Sequence, residues 1–220
     1  MTALRRGVLF RTLTTTTLTR IAESAAVINL PRGTQLYRAG DRSPGLYVVV
    51  AGRIMVSVAT PTGVRKVIEL IGPGGDIGLA ATVLGAPQAE TADALTDTHL
   101  LLIPSEALLD STAQGSELGL RLLSALGRHV RELIADIKAF SLHSGRERVV
   151  EYLLQLASVN GSRARPFTLP AKKSIIASRL NLTPEYFSRM LHALISARAI
   201  AVNGRQITII DPIRLRQRGA

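Results

Sequence analysis

The chain has 220 residues, 46% of them apolar, with 27 Lys/Arg against 16 Asp/Glu for a formal net charge of +11. It has no cysteine, which excludes disulfides, thiolate metal sites, Cys-ligated iron–sulfur clusters and cysteine nucleophiles, and is compatible with a reducing compartment. The apolar run beside Arg5, Arg6 and Arg11 is too short for a signal-peptide core, and no stretch approaches ~18 uncharged apolar residues, so a soluble, cytoplasmic protein without a membrane partner is expected.

Along the chain, a short helix is predicted near Thr14–Ala25. From about Val27 to Ile103 the sequence reads as short strands broken by glycines: Leu46–Val50, Ile54–Ala59, Val64–Ile71 and His99–Ile103. Many short strands with frequent turns predict a sandwich or barrel. The period then changes. Between Ser116 and Phe140, Leu123, Leu126, Val130, Leu133, Ile137 and Phe140 recur at alternating three- and four-residue spacing, the a/d seam of a coiled coil. A second apolar set, Leu118, Leu122 and Ile134, is expected to cover the barrel. A helix with two apolar faces predicts a homodimer, and the alternative is an amphipathic helix packed within its own domain.

Further on, a helix from about Arg146 to Ser158 precedes a loop at residues 160–166. Two short helices follow, then a hairpin of Ala199–Val202 and Gln206–Ile210 turning at Asn203-Gly204. The domain boundaries predicted are 1–112 for a sensor, 113–140 for a dimerisation helix and 141–220 for a second domain. Charge follows this division. Residues 1–140 carry 14 Lys/Arg and 12 Asp/Glu, whereas residues 141–220 carry 13 and 4. A basic domain joined to a near-neutral one is the footprint of a polyanion binder.

The stretch Lys173–Leu191 fits a helix-turn-helix. Ile176, Leu180, Leu182, Phe187 and Leu191 fall where two helices share a small core, and Ala177 falls where they cross closely. Asn181 occupies the turn, where the left-handed conformation is needed. Thr183 is a natural N-cap and Pro184 a natural first helical residue. On the second helix Glu185, Ser188, Arg189 and His192 share the face opposite Phe187, Leu191 and Leu194. Arginine pairs bidentately with guanine and glutamate accepts from cytosine, which assigns Glu185 and Arg189 to bases, and Ser188 can serve base or phosphate. Lys172, Lys173, Ser174 and Arg179 of the first helix, with His192, are assigned to the DNA backbone. The alternative is a two-helix corner with a solvated charged face, which would leave the hairpin wing and the basic domain without a purpose.

The order of β-roll, long helix and winged helix-turn-helix resembles the Crp/Fnr family of transcriptional regulators over nearly the whole chain. The string from Leu182 to Leu191, LTPEYFSRML, is similar to the recognition helix of the cysteine-free nitrogen-oxide-responsive (Dnr/Nnr-type) branch. The resemblance implies an α+β fold: an N-terminal cyclic-nucleotide-binding-like β-roll (a double-stranded β-helix or jelly roll), a long dimerisation helix and a C-terminal winged helix-turn-helix. It also implies a homodimer on double-stranded DNA that reads a TTGA-type inverted repeat, with RNA polymerase as a further partner. Pro184 stands where the catabolite-activator branch has an arginine, which leaves the outermost base preference open.

The sensor segment Gly72–Ala92 resembles the family's phosphate-binding cassette in outline only. Leu79 stands where cAMP-binding relatives place the ribose-holding Glu, and Glu90 where they place the phosphate-neutralising Arg. Leu133 and Ile134 replace the pair that contacts adenine. Unpaired buried ligand groups cost about 1–3 kcal/mol each, so cAMP is not the expected effector. The predicted effector pocket comprises Leu79, Val83, Leu84, Glu90, Thr91, His129 and Leu133. The branch resemblance implies haem and nitric oxide sensing, with His129 or His99 as candidate axial ligands, and no other metal site is expected. The alternatives are a ligand-free degenerate sensor or a cyclic-nucleotide-binding regulatory module. No P-loop, metal-spaced histidine pair or G-x-S-x-G motif occurs, so an enzyme is not expected.

Overall fold

The computed structural model describes residues 4–60, 63–113, 116–159 and 166–216. The predicted loop at 160–166 lies outside them except for Pro166. Contacts divide the chain into two units, Met1–Glu132 and Leu133–Ala220.

The first unit opens with a 3-10 turn at Leu4–Arg6 and α1 (Thr15–Ser24), which starts where Thr14 caps the Thr17 amide. Eight strands follow, interrupted by one short helix: β1 (Ala26–Leu30), β2 (Gln35–Tyr37), β3 (Gly45–Ala51), β4 (Ile54–Ala59), β5 (Arg65–Ile71), β6 (Asp76–Ile77), α2 (Leu79–Leu84), β7 (Thr91–Ala94) and β8 (Thr98–Pro104). Then come α3 (Ser105–Ala113) and α4 (Ser116–Leu142). The strands form two antiparallel four-stranded sheets, ordered β1-β8-β3-β6 and β2-β7-β4-β5. This is the β-roll that the family resemblance implies, where strand spacing alone predicts a sandwich or barrel.

β3 shows why the central strands read as continuous apolar runs. Tyr47 and Val49 point between the sheets, with Tyr37, Ile54, Val56, Ile71, Ala92 and Leu100. Leu46 and Val48 point the other way, into a second core with Leu18 and Ile21 of α1, Leu108 of α3 and Leu118, Leu122 and Ala125 of α4. Both faces of the strand are buried, so alternation with polar residues disappears. The segment before α1 belongs to this second core through Leu4, Leu9, Phe10 and Leu13, all buried. Sequence reading assigns no element there, because the segment lacks a regular period.

Along α4, Leu118, Leu122 and Ala125 form the core-facing stripe as expected. Ile134 departs from expectation and is exposed. At 3.6 residues per turn it lies about 160° round the helix from Leu118, on the side of the seam. Leu123, Val130, Leu133 and Ile137 are also exposed, at 66%, 54%, 53% and 63%, leaving an apolar stripe uncovered in the isolated chain. Leu126 and Phe140 differ from the other seam positions: Leu126 packs half-buried against the second core, and Phe140 is half-buried with the Arg148 guanidinium 5.7 Å from its ring centre.

In the second unit, the end of α4 leads to α5 (Gly145–Val159), β9 (Phe167–Thr168), α6 (Lys173–Arg179), α7 (Pro184–Ser196), β10 (Ile200–Asn203), β11 (Gln206–Ile209) and α8 (Pro212–Arg216). Ser144 and Glu147 close a capping box at the start of α5: the Ser144 amide donates to Glu147 Oε2 at 2.8 Å and the Glu147 amide to Ser144 Oγ at 3.3 Å. The hairpin β10–β11 is extended by β9 into a three-stranded sheet. Asn203 pairs with Gln206, so the turn residues are Gly204 and Arg205, one place later than the sequence suggests. The reason is that a single positive φ, 61° at Gly204, suffices for this turn, and glycine adopts it without strain.

Candidate nucleic-acid interface

The second unit builds a helix-turn-helix from local signals. Ile176 and Ala177 of α6 and Phe187, Leu191 and Leu194 of α7 are buried in the shared core. Between the helices Asn181 takes a φ of 57°, the left-handed conformation that reverses the chain within few residues. Thr183 Oγ1 accepts from the Tyr186 amide at 3.2 Å and Pro184 occupies the first turn, so α7 starts where the sequence places it. Gly145 allows α5 to approach this start closely. A Cβ there would lie 2.6 Å from the Tyr186 ring and 2.9 Å from Leu182.

With Phe187, Leu191 and Leu194 inside, Glu185, Arg189 and His192 stand exposed and Ser188 half-buried on the outer side of α7. The Arg189 guanidinium lies over the Tyr186 ring, 5.1 Å from its centroid, which limits the directions it can sample. Lys172 caps α6 without a side-chain bond, and Lys172 and Ser174 are exposed, with Lys173 half-buried. Arg179 differs from this group. Its Nη2 sits 2.8 Å and 3.1 Å from the two carboxylate oxygens of Asp136, and less than a quarter of its side chain is exposed. The ion pair ties α6 to α4 and engages the guanidinium assigned from sequence to phosphate. Asp136 lies 43 residues away in the chain, so no local pattern could reveal the pairing.

In the first unit, Gly78 carries a φ of 78° at the start of α2, and Leu79 is buried in the second core. Val83 packs half-buried against that core, whereas Leu84 is 76% exposed, because it lies on the outer side of a helix only six residues long. Leu84 therefore does not belong to a pocket lining. Glu90 accepts a hydrogen bond from the Tyr37 hydroxyl at 3.1 Å. Burial, with the Glu90 charge beside it, pushes the Tyr37 phenol far above its ordinary range and keeps it a neutral donor. Thr91 Oγ1 accepts from the Ala39 amide at 3.2 Å. A carboxylate bonded to Tyr37 therefore stands where the family resemblance places a phosphate-neutralising arginine.

The two candidate histidines sit in different settings. His99 lies on exposed strand surface with Nδ1 2.6 Å from Asn29 Oδ1. His129, on the core-facing side of α4, places Nε2 3.8 Å from Asp76 Oδ2, close enough for attraction but beyond hydrogen-bonding distance. That oxygen is buried without a hydrogen-bond partner. Burial raises the Asp76 pKa, while His129 and Arg128 act to lower it and Glu132 to raise it. Among the described residues no cluster of three or more His, Cys, Asp or Glu side chains could hold a metal ion, and no helix is long and apolar enough to cross a membrane.

Residues 27–114 match the family described as cyclic nucleotide-binding domain, and residues 147–218 match that described as Crp-like helix-turn-helix domain. The chain belongs to the Crp/Fnr family of transcriptional regulators. It is 22% identical over 218 residues to the CRP-like cAMP-activated global transcriptional regulator of Mycobacterium tuberculosis, covering 98% of this chain and 97% of the relative. Among solved structures, FixK2 from Bradyrhizobium japonicum superposes with a TM-score of 0.80 at 22% identity, covering 87% of this chain and 95% of the other. DNR from Pseudomonas aeruginosa is 29% identical with a TM-score of 0.52, covering 97% of this chain and 95% of the other. These likenesses agree with the Crp-like fold of a β-roll followed by a helix-turn-helix.

Proposed function

We propose that this regulator reads a TTGA-type inverted repeat as a homodimer and answers to a signal other than a cyclic nucleotide. The observation that carries the reading is the outer face of α7, where Glu185, Ser188 and Arg189 stand together while the opposite face is fixed in the core. Arg189 pairs with the guanine of each half-site, and Glu185 accepts from the cytosine opposite or the neighbouring adenine amino group. The exposed stripe of Leu123, Val130, Leu133, Ile134 and Ile137 supplies the dimer contact, which places two reading heads on one duplex.

Although one relative bears the name cAMP-activated, the residues that would hold ribose and phosphate here are a buried leucine, Leu79, and a carboxylate, Glu90, already bonded to Tyr37. Haem is the candidate cofactor, with nitric oxide as the signal. His129 would hold haem more readily than His99, because it is half-buried and lies 3.8 Å from the Asp76 carboxylate, whereas His99 is exposed. Bound haem would supply the iron that takes the gas. The chain's own part is to present His129 from α4, the helix that carries the dimer stripe, near Asp76 of β6.

The reading is tested by gel shift on a TTGA inverted repeat and a scrambled duplex, with calorimetry for cAMP and cGMP and an optical titration with haem. Selective retardation, no cyclic-nucleotide heat and a Soret shift abolished by His129→Ala are expected. Equal retardation of both duplexes, or micromolar binding of either cyclic nucleotide, would overturn it. A flat optical titration would remove haem alone.

A further inference from the structure

The second unit contains a pocket of about 370 Å³ between the last turns of α4 and helices α5 and α6. The DNA-reading face does not use it. Its volume falls within the range of small-molecule sites, about 300–1,000 Å³. Ala139, Phe140, Tyr152 and Leu180 give it an apolar body, and Lys138 and Arg148 give it cationic groups.

The charges lining the pocket are not equally matched. Arg179 is satisfied by Asp136, and His143 Nδ1 lies 3.1 Å from Glu151 Oε2. No carboxylate among the described residues pairs with Lys138 or Arg148. Arg148 is the more demanding of the two. Its Nη1 donates to the Phe140 carbonyl at 3.5 Å and its Nη2 to the Asn181 carbonyl at 3.4 Å, both at the long limit of a hydrogen bond. Its Nε is buried with no acceptor, and the guanidinium lies 5.7 Å from the centre of the Phe140 ring. A half-buried guanidinium with two long bonds and one unsatisfied donor keeps unused capacity for a carboxylate, whose two oxygens match its planar fork.

We infer that this pocket binds a small organic monocarboxylate with an aromatic or branched apolar body, held by Arg148. The apolar walls take the body, as is usual for sites where a few polar groups fix orientation. A dianion or phosphate would leave those walls unused. Because the same guanidinium also holds the carbonyl of Asn181, the left-handed residue between α6 and α7, an occupied pocket competes for the group that braces the turn of the helix-turn-helix.

The test uses the full chain and benzoate as the probe, with benzamide as a neutral molecule of the same shape, followed by calorimetry and by NMR of the Arg148 Nε–H. Benzoate should bind at least tenfold more tightly than benzamide and shift the Nε–H resonance. Arg148→Gln should weaken benzoate at least tenfold. Ala139→Phe, which places a ring in the pocket, should abolish binding while leaving the melting temperature in place, and it keeps the test valid if Arg148→Gln fails to fold. Equal binding of benzoate and benzamide, benzoate binding that survives Ala139→Phe, or no binding at millimolar benzoate would each overturn the assignment. None of these readouts requires DNA, so they stand or fall separately from the operator reading.

Discussion

Single side chains of the DNA-facing unit divide into those that read bases and those that hold the backbone. Arg189→Ala should cost about 1–3 kcal/mol per half-site and flatten preference at the guanine it contacts. Lys172→Ala should weaken specific and scrambled duplexes alike and reduce the salt slope by about one unit, because a phosphate contact carries no sequence information. Titration of affinity against salt on both duplexes distinguishes the two. Asp76 gives a prediction of a different kind. Its folded pKa is raised by burial above the unfolded value, so the native state keeps a proton that the unfolded chain has already lost. Stability from this group is therefore complete in acid and declines as pH rises from the ordinary carboxylate range through the folded pKa. Asp76→Asn should remove that decline, and melting curves from acid to neutral pH should be flatter for the variant than for the parent. The roles of Asn181, Thr183 and Pro184 were legible in the sequence because each acts on its own backbone or within three residues. The pairings Arg179–Asp136, His129–Asp76 and Tyr37–Glu90 were not, because each joins distant parts of the chain and follows only from tertiary packing.

At the scale of elements, α4 decides how the molecule is assembled. Its core stripe is satisfied within the chain, and the stripe of Leu123, Val130, Leu133, Ile134 and Ile137 is not. Val130→Glu places a charge in the middle of that stripe without touching either core. It should convert the dimer to monomer in light scattering at micromolar concentration and lower operator affinity in parallel, while the far-ultraviolet circular dichroism stays unchanged. The helix and its two faces could be predicted because heptad spacing is a strong signal, whereas the side to which Ile134 belongs required the true angle per residue. Strands buried on both faces, such as β3, were visible as apolar runs, but which residues go to which core was not, since period-two alternation vanishes when both sides are covered. The two-residue strand β9 and the packed segment before α1 left no periodic trace.

At the scale of the whole molecule, charge and architecture point the same way. Residues 141–220 carry 13 Lys/Arg and 4 Asp/Glu, and they lie within the unit Leu133–Ala220 that presents α7. The family's order of β-roll, long helix and helix-turn-helix was readable from period changes and from one ten-residue string. The state of the sensor was not, because a missing ligand contact says what a pocket refuses, and only packing shows that Glu90 is held by Tyr37. In the proposed assembly two copies joined along α4 read two half-sites together. It is tested most directly by measuring the affinity of the full chain for a TTGA inverted repeat and for the same half-sites separated by five additional base pairs. Half-sites read by such a dimer lie about one helical turn, 10–10.5 base pairs, apart, so an insertion of half a turn moves one of them to the opposite side of the duplex. A 2:1 complex on the first duplex and a drop to near-scrambled affinity on the second are expected. Equal affinity for both spacings, with one protomer bound per half-site, would contradict it.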